Sequence, residues 1–397
     1  MAKPALLPVD DALKILLADV QPVSRETVPL KDALHRVLCD DVFAKHTQPP
    51  FAASAMDGYA LRFADLDAGD FRVIGEAAAG HPFSKSLLSG EAVRIFTGAV
   101  VPGGADTVVI QENTEVDGAS LRITAKPAFG ANIRPAGGDF SANEKLIDAG
   151  AILDGNLISL AAAGNHASLP VYRKPRIAVL ATGDELRTPG SALQPGEIIA
   201  STSFAIADLI EKNGGAFIDL GIAADTEAAL VQKLDEARQA KADVLVTLGG
   251  ASVGDHDLVA PVFTSQGMEM DFWKVAMRPG KPLMTGSLDD MRVLGLPGNP
   301  VSAIVCAVVF LVPLLHALTG RAYAQQVKSA KLTEPIASNG PRRHYMRAFV
   351  DGDGEVTVND NQDSSLLSVL SRSNSLVVRP PNDPPRDAGE TVDFIYI

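Results

Sequence analysis

Cysteine and aromatic residues are scarce in this chain. Cys39 and Cys306 are the only cysteines among 397 residues, and aromatic residues make up 5%. Two cysteines this far apart exclude a disulfide framework and a zinc-finger pattern. Cys306 lies in an apolar run, so we expect it to be a small core residue. The chain is nevertheless 46% hydrophobic, which is enough for ordinary buried cores in about two to four domains.

Positive charge is also in short supply. Lys and Arg number 35 against 48 Asp and Glu, and the net charge is −13. Such a balance argues against a nucleic acid or an anionic membrane as the partner. It does not exclude small anions, because local groups hold those.

The chain has no long hydrophobic run. Its most apolar segment, AIVCAVVFLVPLLHAL at 303–318, contains Pro313 and His316 and is shorter than the roughly 20 residues that span a bilayer. The N-terminal segment lacks the long apolar core and the cleavage site of a signal peptide. We therefore expect a buried helix at 303–318 in a soluble, cytoplasmic protein.

Changes in hydrophobic pattern predict a multidomain α/β protein. The first forty residues are predicted to be helical, and short strands punctuated by Gly and Pro follow. Apolar strands then alternate with helices, which is typical of a doubly wound parallel sheet, and the tail resembles a β hairpin with further strands. The predicted units are a helical and linking N-terminal domain, a β-rich domain, a central α/β domain and a small C-terminal β domain, at 1–45 plus 141–173, 46–140, 174–325 and 326–397.

Two helix starts carry residues suited to capping. Asp10 precedes an apolar helical pattern, and Thr226 precedes the segment EAALVQKLDEARQ. Both residue types accept a hydrogen bond from the free N–H groups of a first helical turn. We expect both residues to cap their helices.

Three loops of unusual composition follow strands predicted in the central domain. Ligands of open α/β sheets bind at the carboxyl ends of the strands, so we expect these loops to meet at one edge. The first of them, TGDEL, contains neither a P-loop nor GxGxxG, which argues against an ATPase and against a standard nicotinamide site. Their sequences are TGDEL, GGASVGDHD and GLPGNPVS, at 182–186, 249–257 and 295–302.

Two of these loops carry groups suited to phosphate. The second offers small residues whose amides can approach a phosphate closely, namely Gly249, Gly250, Ser252 and Gly254. In the third, Asn299 fits an N-cap and Pro300 a first helical position. Ser302 would then lie in a first turn, where free amides attract anions. A tight βα turn and a capped core helix are the alternatives.

A basic segment, WKVAMRPGKP at 273–282, stands out in so acidic a chain. It contains Lys274, Arg278 and Lys281. Such a cluster suits phosphate or an oxyanion. Solvated loop charge is the alternative.

Acidic residues stand beside these anion-binding groups. Two like charges 4 Å apart repel by about 4 kcal/mol at an effective dielectric of 20, and a divalent cation reverses the sign. Mg²⁺ prefers one or two carboxylates with phosphate oxygens and water, so the pattern predicts a bound Mg²⁺. Helix capping and surface exposure are the alternatives. His256 has no second His or Cys nearby, so we do not expect it to be a ligand. The acids are Asp184, Glu185, Asp225, Asp255 and Asp257.

Taken together, these motifs make the chain resemble the molybdopterin molybdenumtransferases, the family of bacterial MoeA and the gephyrin E domain. The resemblance covers nearly the whole length. Its motifs are SAMDGYA (54–60), TGAVVPGGADTVVIQE (97–112), NIRPAGGD (132–139), TGDEL (182–186), GGASVGDHD (249–257), MRPGKP (277–282) and GLPGNPVSA (295–303).

The resemblance implies a reaction and an assembly. Molybdate is inserted into the dithiolene of adenylyl-molybdopterin, and AMP is released. The family forms homodimers whose cleft combines the α/β domain of one subunit with the β-rich domain of the other. Transient contact with the adenylyltransferase and with recipient molybdoenzymes is implied as well.

The resemblance also assigns residues, with Asp139 a weaker match. The implied catalytic residues are Asp57, Thr97, Glu185, Asp225, Lys274 and Arg278. The implied metal ligands are Glu185, Asp225 and Asp257. The implied substrate-binding residues are Gly249, Gly250, Ser252, Gly254, Lys281, Pro282, Pro297, Gly298, Asn299, Ser302, Arg342 and Ser368.

Other functions fit parts of this pattern. A molybdopterin adenylyltransferase would share the α/β domain, but the flanking domains favour the insertase. A non-catalytic scaffold could use the same cleft to dock a peptide, although the retained acidic and basic residues argue against it. A sugar-phosphate or nucleotide enzyme has support from the fold class alone.

Overall fold

The computed structural model describes residues 6–250, 258–321 and 326–397. The chain folds into two compact units. We call Met1–Glu26, His35–Cys39 and Val171–Ile397 the large unit, and Thr27–Leu34 with Asp40–Pro170 the small unit.

Helices within the described residues lie mainly in the large unit. A π-helical segment, Ala307–Leu311, joins α6 to α7. The helices are α1 (Val9–Leu17), α2 (Gly155–Ala163), α3 (Thr202–Lys212), α4 (Glu227–Gln239), α5 (Val259–Ser265), α6 (Pro300–Cys306), α7 (Val312–Leu318) and α8 (Leu367–Leu370).

Strands occur in both units. The first twelve are β1 (Arg25–Pro29), β2 (Val42–Phe43), β3 (Ala53–Ser54), β4 (Gly58–Leu61), β5 (Phe71–Ala77), β6 (Glu91–Ile95), β7 (Thr107–Ile110), β8 (Thr114–Asp117), β9 (Ser120–Ile123), β10 (Ile133–Arg134), β11 (Lys145–Ile147) and β12 (Ser168–Tyr172). Those that follow are β13 (Arg176–Thr182), β14 (Leu186–Arg187), β15 (Ile198–Ile199), β16 (Ala216–Ala223), β17 (Val244–Leu248), β18 (Glu269–Trp273), β19 (Met277–Arg278), β20 (Met284–Leu288), β21 (Met291–Leu296), β22 (Lys328–Leu332), β23 (Arg343–Val350), β24 (Glu355–Val358), β25 (Ser375–Arg379) and β26 (Thr391–Tyr396).

The small unit is built on a sheet with the strand order β7-β4-β6-β5-β9-β8. Apolar side chains from its two faces form separate cores, one around Val93 and Ile95 and the other around Leu61 and Leu121. The predicted β-rich character of this region is confirmed. The sheet places Asp57 directly before β4, and Thr97 lies two residues after the end of β6.

The large unit contains the predicted doubly wound sheet. Its order is β16-β13-β17-β21-β20-β18, and the first four of these strands run parallel. Nearly every residue of β13 and β17 is buried, as expected for strands covered on both faces. Residues of α3, α6 and α7 belong to the core on one face, and residues of α4 and α5 to the core on the other.

The apolar run at 303–318 forms the buried helix that the sequence predicts. Among the described residues, the helix over Pro300–Leu318 is long and apolar enough to cross a membrane, with a mean hydropathy of 2.5. However, 72% of its most apolar window is buried inside the fold. Cys306 is fully buried there, and burial raises the pKa of its thiol, so it is the core residue that the sequence predicts.

Two details of the N-terminal prediction are wrong. Helix α1 ends at Leu17, and the chain then forms the strand β1 instead of continuing as a helix. Pro22 and Pro29 explain this, since proline restricts the residue before it to extended backbone and has no N–H. Asp10 lies inside the first turn of α1, where it binds Arg343 through two contacts of 2.7 and 2.8 Å instead of capping the helix.

The capping prediction for Thr226 is confirmed. Thr226 occupies the N-cap of α4. Its hydroxyl accepts a hydrogen bond of 3.3 Å from the Ala229 amide. This cap fixes the start of α4 at Glu227, two residues after Asp225.

The tail forms the predicted hairpin and a closed barrel. Strands β23 and β24 pair as a hairpin, and β25 and β26 match the other predicted strands. The pairings run β23-β24-β22-β26-β25, and β25 pairs back with β23. We call this part of the large unit the C-terminal barrel.

A buried ion pair lies in the C-terminal barrel. Arg379 is 1% exposed and donates to the carboxylate of Asp383, which also accepts from Arg386 at 2.7 Å. Arg379 donates further to the carbonyl oxygens of Ala337 (3.2 Å) and Pro384 (2.6 Å). The guanidinium thereby ties two loops to β25.

We expect Asp383→Ala to destabilise the protein by about 3 kcal/mol, because it leaves Arg379 buried without its counter-ion. Burial alone would raise the pKa of Asp383, but hydrogen bonds from Arg386 and Arg379 lower it overall. The stabilisation is therefore present above the pKa of an unfolded aspartate and is lost as the pH falls through the folded pKa. Denaturation midpoints at neutral and acidic pH measure both effects.

The matched control is Asp353→Ala, in the exposed turn of the β23–β24 hairpin. This substitution should leave the midpoint unchanged. Equal midpoints for both variants would contradict the role given to Asp383.

Candidate active site

The three predicted loops leave the central sheet at one edge. Strand register pairs Ala181 with Leu248, and Leu248 with Leu296. The amide of Gly249 donates to the carbonyl of Leu296 at 3.1 Å, so the strands end level with each other. Thr182 pairs with Ala223, which brings the end of β16 to the same edge.

Glycine is required where the second loop begins. Gly249 and Gly250 have φ angles of 103° and 67°. A Cβ on Gly249 would lie 2.7 Å from the Thr182 carbonyl oxygen, and one on Gly250 only 2.1 Å from a methyl of Val259. The hydroxyl of Thr182 is buried at this point without a partner among the described residues. The remaining predicted residues of the loop, Ser252, Gly254, Asp255, His256 and Asp257, lie outside the described ranges.

Three carboxylates share one corner of this edge. The Asp225 amide donates to the Asp184 carboxylate at 3.0 Å. The Glu185 carboxylate folds back so that a Cβ on Gly183 would lie 2.5 Å from it. The pKa of Asp225 is raised by burial first and then by the negative charges of Asp184 and Glu185, whereas a hydrogen bond from the Asp184 backbone lowers it. A cation would relieve this repulsion.

Two of the three predicted metal ligands, Glu185 and Asp225, therefore lie close together. In the ranges that the structure describes, no group of three His, Cys, Asp or Glu residues could hold a metal ion. The third predicted ligand, Asp257, falls outside those ranges. Asp184 adds a carboxylate to this corner; its place in TGDEL, directly after β13, is the signal for it.

The predicted basic segment forms a compact loop. Val275 donates its amide to the Lys281 carbonyl at 3.0 Å. Lys274 has a φ angle of 82°, and its ammonium lies 5.9 Å from the centre of the Trp273 ring. Arg278 ends β19 and is exposed. One folded loop therefore carries Lys274, Arg278 and Lys281.

Arg278 and Arg342 surround a single histidine. Arg278 pairs with His344 in the register of β19 and β23, and Arg342 donates to the carbonyl of Met277 at 3.2 Å. Burial lowers the pKa of His344 to about 3, and the charges of Arg278, Arg347, Arg379 and Arg342 add to this effect. His344 is therefore neutral near pH 7, and the positive charge comes from guanidinium groups.

An open cavity of about 450 Å³ adjoins this cluster. The sequence gives a weak signal for His344, because it stands alone in the run RRHYMR. Burial and the register with β19 distinguish it, and neither is visible in the sequence. The cavity is lined by Arg278, Asn339, His344, Gln362 and Arg379, among others.

The start of α6 differs from the expectation of an open anion site. Asn299 and Pro300 occupy the predicted N-cap and first helical positions, but the Asn299 side chain makes no cap. It donates instead to the Ser364 hydroxyl at 3.3 Å, and the Val301 amide donates to the Ser364 carbonyl at 3.1 Å. Ser302 is only 4% exposed. A loop of the C-terminal barrel thus occupies one of the amides that the sequence assigns to an anion.

Arg347 holds that loop of the barrel. It is fully buried, and it donates to the Asp363 carbonyl at 2.6 Å and to the Gln362 side chain at 3.1 Å. The adjacent helix α8, which carries the predicted Ser368, packs against α6. Ser368 itself is exposed.

The other predicted residues of the large unit lie around these features. Lys281 is exposed and Pro282 is half-buried. Pro297 is buried, and Gly298 is exposed. A Cβ on Gly298 would lie 3.7 Å from the Cα of Gly249, so the second and third loops approach each other.

In the small unit, Asp57 and Thr97 contact each other. The backbone amide and the hydroxyl of Thr97 each donate to one Asp57 oxygen at 2.8 Å. These two hydrogen bonds, and then the charge of Arg94, lower the pKa of Asp57. Asp57 is therefore an ionised, half-buried carboxylate, although 40 residues separate it from Thr97.

The fold and these clusters define a class of protein. It is a multidomain α/β protein that has a β-rich domain, an α/β domain whose sheet edge carries glycines and carboxylates, and a C-terminal β barrel. Three family models match the chain: "MoeA N-terminal region (domain I and II)" at 7–164, "Probable molybdopterin binding domain" at 178–317 and "MoeA C-terminal region (domain IV)" at 329–397. The chain belongs to the MoeA family of molybdopterin molybdenumtransferases.

Relatives of the chain match it over nearly its whole length. A molybdopterin molybdenumtransferase of Haemophilus influenzae is 35% identical over 396 residues, 98% of each chain. One of Nostoc sp. is 35% identical over 370 residues, 89% of this chain and 85% of the relative. A crystal structure of a molybdopterin biosynthesis MoeA protein from Pyrococcus horikoshii has 29% identity and a TM-score of 0.87, covering 99% of each chain.

The basic loop depends on Gly280. This residue has a φ angle of 101°, and a Cβ on it would lie 2.2 Å from the Cys306 sulfur. We expect Gly280→Ala to lower the thermal midpoint, with a cost of about 1–3 kcal/mol from overpacking and additional backbone strain.

Gly352→Ala is the matched control, because a Cβ there meets nothing within 4 Å. The double variant Gly280→Ala/Cys306→Ala should recover part of the lost stability, since it removes the clash but not the strain. A double variant no more stable than Gly280→Ala would contradict this explanation.

Proposed function

We propose that this protein inserts molybdate into the dithiolene of adenylyl-molybdopterin and releases AMP, as a step of molybdenum cofactor biosynthesis. The observation that carries the proposal is the shared corner of Asp184, Glu185 and Asp225 at the sheet edge, beside a glycine loop. Acids for a cation and amides for a phosphate at one edge suit a pyrophosphate substrate. Full-length similarity to molybdopterin molybdenumtransferases supports the same reaction.

Substrate binding is proposed for the loops at the sheet edge and for the barrel residues beside them. Glycine amides would approach the phosphates, and side chains of the basic loop would add positive charge. The Val301 amide is occupied by Ser364, so we give the start of α6 a smaller share of the anion binding. The proposed residues are Gly249, Gly250, Ser252, Gly254, Lys281, Pro282, Pro297, Gly298, Asn299, Ser302, Arg342 and Ser368.

Molybdate is proposed to lie near the basic residues Lys274, Arg278 and Arg342. Guanidinium groups present several N–H donors in a fixed plane, which suits an oxyanion. The neutral imidazole of His344 has one N–H group that can donate a hydrogen bond to molybdate. Arg278 and Arg342 both influence this imidazole, which supports a common site for the two guanidiniums.

A divalent cation, Mg²⁺, fits the acidic corner. Glu185 and Asp225 would hold it together with Asp257, and the pKa of Asp225 is raised by burial first and then by the neighbouring negative charges. When bound, Mg²⁺ would neutralise negative charge on the pyrophosphate. We propose these three carboxylates as its ligands.

The side chains act mainly by position and charge. Lysine, arginine and backbone amides hold the reacting groups next to each other, which reduces the entropy cost of the reaction. A carboxylate orients water for cleavage of the phosphoanhydride, and Asp57 is ionised and held by Thr97 for such a role. We propose Asp57, Thr97, Glu185, Asp225, Lys274 and Arg278 as the catalytic residues.

We also propose a cytoplasmic homodimer that contacts the adenylyltransferase and recipient molybdoenzymes transiently. Light scattering should give a mass twice that of the chain. If Asp57 and Asp225 of different copies complete one site, a mixture of Asp57→Asn and Asp225→Asn chains should regain part of the activity that each variant lacks. A monomer, or a mixture no more active than its components, would reject the assembly.

Asp225→Asn should abolish molybdate-dependent AMP release from adenylyl-molybdopterin and leave the fold intact, because it removes one proposed metal ligand. Steady-state AMP formation and the far-UV circular dichroism spectrum measure the two properties. Asp208→Asn, on the exposed side of α3, should retain full activity.

Normal turnover by Asp225→Asn would reject its assignment. If the unaltered protein instead adenylylates molybdopterin when given ATP, it is an adenylyltransferase. If it catalyses neither reaction, the scaffold interpretation gains support.

A further inference from the structure

Arg94 occupies a defined position in the small unit. It lies on β6, paired with Tyr59 of β4, and is half-buried. Its guanidinium carbon lies 5.1 Å from the centre of the Tyr59 ring and 4.8 Å from that of Phe96. Contacts with two aromatic rings hold a guanidinium more firmly than solvent would.

The hydrogen bonds of Arg94 go to the segments that carry Asp57. One guanidinium nitrogen donates to the Gly58 carbonyl at 3.2 Å, and another to the Gln111 side chain at 2.7 Å. The backbone amide of Gln111 in turn donates to the backbone carbonyl of Asp57 at 3.1 Å. Arg94 thus connects the strand that follows Asp57 with the turn that hydrogen-bonds to it.

The aromatic contact of Arg94 with Phe96 also lies beside the Asp57–Thr97 pair. Phe96 directly precedes Thr97, whose amide and hydroxyl bind one oxygen of the Asp57 carboxylate. Gly58 and Phe96 are thus next to Asp57 and Thr97 in sequence, Tyr59 is two residues from Asp57, and Gln111 is hydrogen-bonded to Asp57. The other Asp57 oxygen has no hydrogen-bond donor among the residues that the structure describes.

Charge adds to this geometry. Arg94 donates to Gly58 and Gln111 instead of pairing with Asp57, yet its positive charge helps to lower the pKa of that carboxyl. The elements next to Asp57 carry Arg94 on β6, the neutral Gln111 directly after β7 and Tyr59 on β4. Arg94 is therefore the charged group that acts on Asp57. It does not hydrogen-bond to the second carboxylate oxygen of Asp57.

We infer that Arg94 is a positioning residue that holds the Asp57–Thr97 pair in its reactive geometry and supplies the positive charge beside it. This inference rests on the proposed function, in which Asp57 is catalytic. A purely structural brace would stabilise the small unit but would leave the titration of Asp57 unchanged. A positioning residue affects both the titration and turnover.

The test compares Arg94→Gln, which removes the charge, with Arg94→Lys, which keeps the charge but loses the planar fork. Arg122→Gln is the matched control, because Arg122 is an exposed arginine of the same sheet that pairs with Asp70. The first measurement is a ¹³C titration of the Asp57 carboxyl carbon in protein labelled at aspartate, assigned by the signal that Asp57→Asn loses. The second is kcat for molybdate-dependent AMP release.

Arg94→Gln should move the Asp57 titration to higher pH, because the carboxylate loses a stabilising positive charge. It should also lower kcat by about tenfold, since misplacing a catalytic group by about 1 Å costs up to about 100-fold. Arg94→Lys should leave the titration close to that of the unaltered protein and still lower kcat. Arg122→Gln should change neither measurement.

An unchanged Asp57 titration and an unchanged kcat in Arg94→Gln would overturn the inference. So would a lower thermal midpoint with an unchanged titration, because that result describes a structural brace. Failure of the unaltered protein to release AMP would reject the proposed function alone, and the carboxyl titration would still decide the electrostatic role of Arg94.

Discussion

The backbone register of the parallel strands β13, β17 and β21 is the constraint on which the site of the large unit depends. Ala181, Leu248 and Leu296 lie side by side, so the loops that follow leave the sheet at one level. Because side chains alternate between the two faces, a slip of one residue would move each buried residue to the opposite face. Strong burial on both faces of the sheet holds this register in place.

Charges of opposite sign are separated along the large unit. Asp184, Glu185 and Asp225 gather at the sheet edge, whereas Arg278 and Arg342 gather around His344 where β19 joins the barrel. Each cluster is unfavourable by itself, because like charges repel at short range. A substrate that brings both a pyrophosphate with its cation and an oxyanion would relieve both clusters. This complementarity links the fold to the proposed reaction.

The C-terminal barrel also helps to organise the central domain. Its loop around Ser364 is hydrogen-bonded to the start of α6, and the buried Arg347 donates a hydrogen bond to the Asp363 carbonyl of the same loop. Strand β19, which carries Arg278, pairs with β23 of the barrel. The barrel therefore positions residues of the α/β domain, and this explains why residues as distant as Arg342 and Arg278 act on one imidazole.

The sequence by itself determined the long strands of the sheets, the main helices of the α/β domain, the glycine positions and the Thr226 cap, because neighbouring residues encode burial pattern, backbone freedom and capping. Short motifs and the family resemblance also indicated the charged residues of both clusters, but not His344. Only the tertiary structure decided which distant groups meet: Asp10 binds Arg343, and Ser364 occupies the Val301 amide. Contacts between segments far apart in the chain depend on how the sheets and helices pack, and no local pattern specifies that packing.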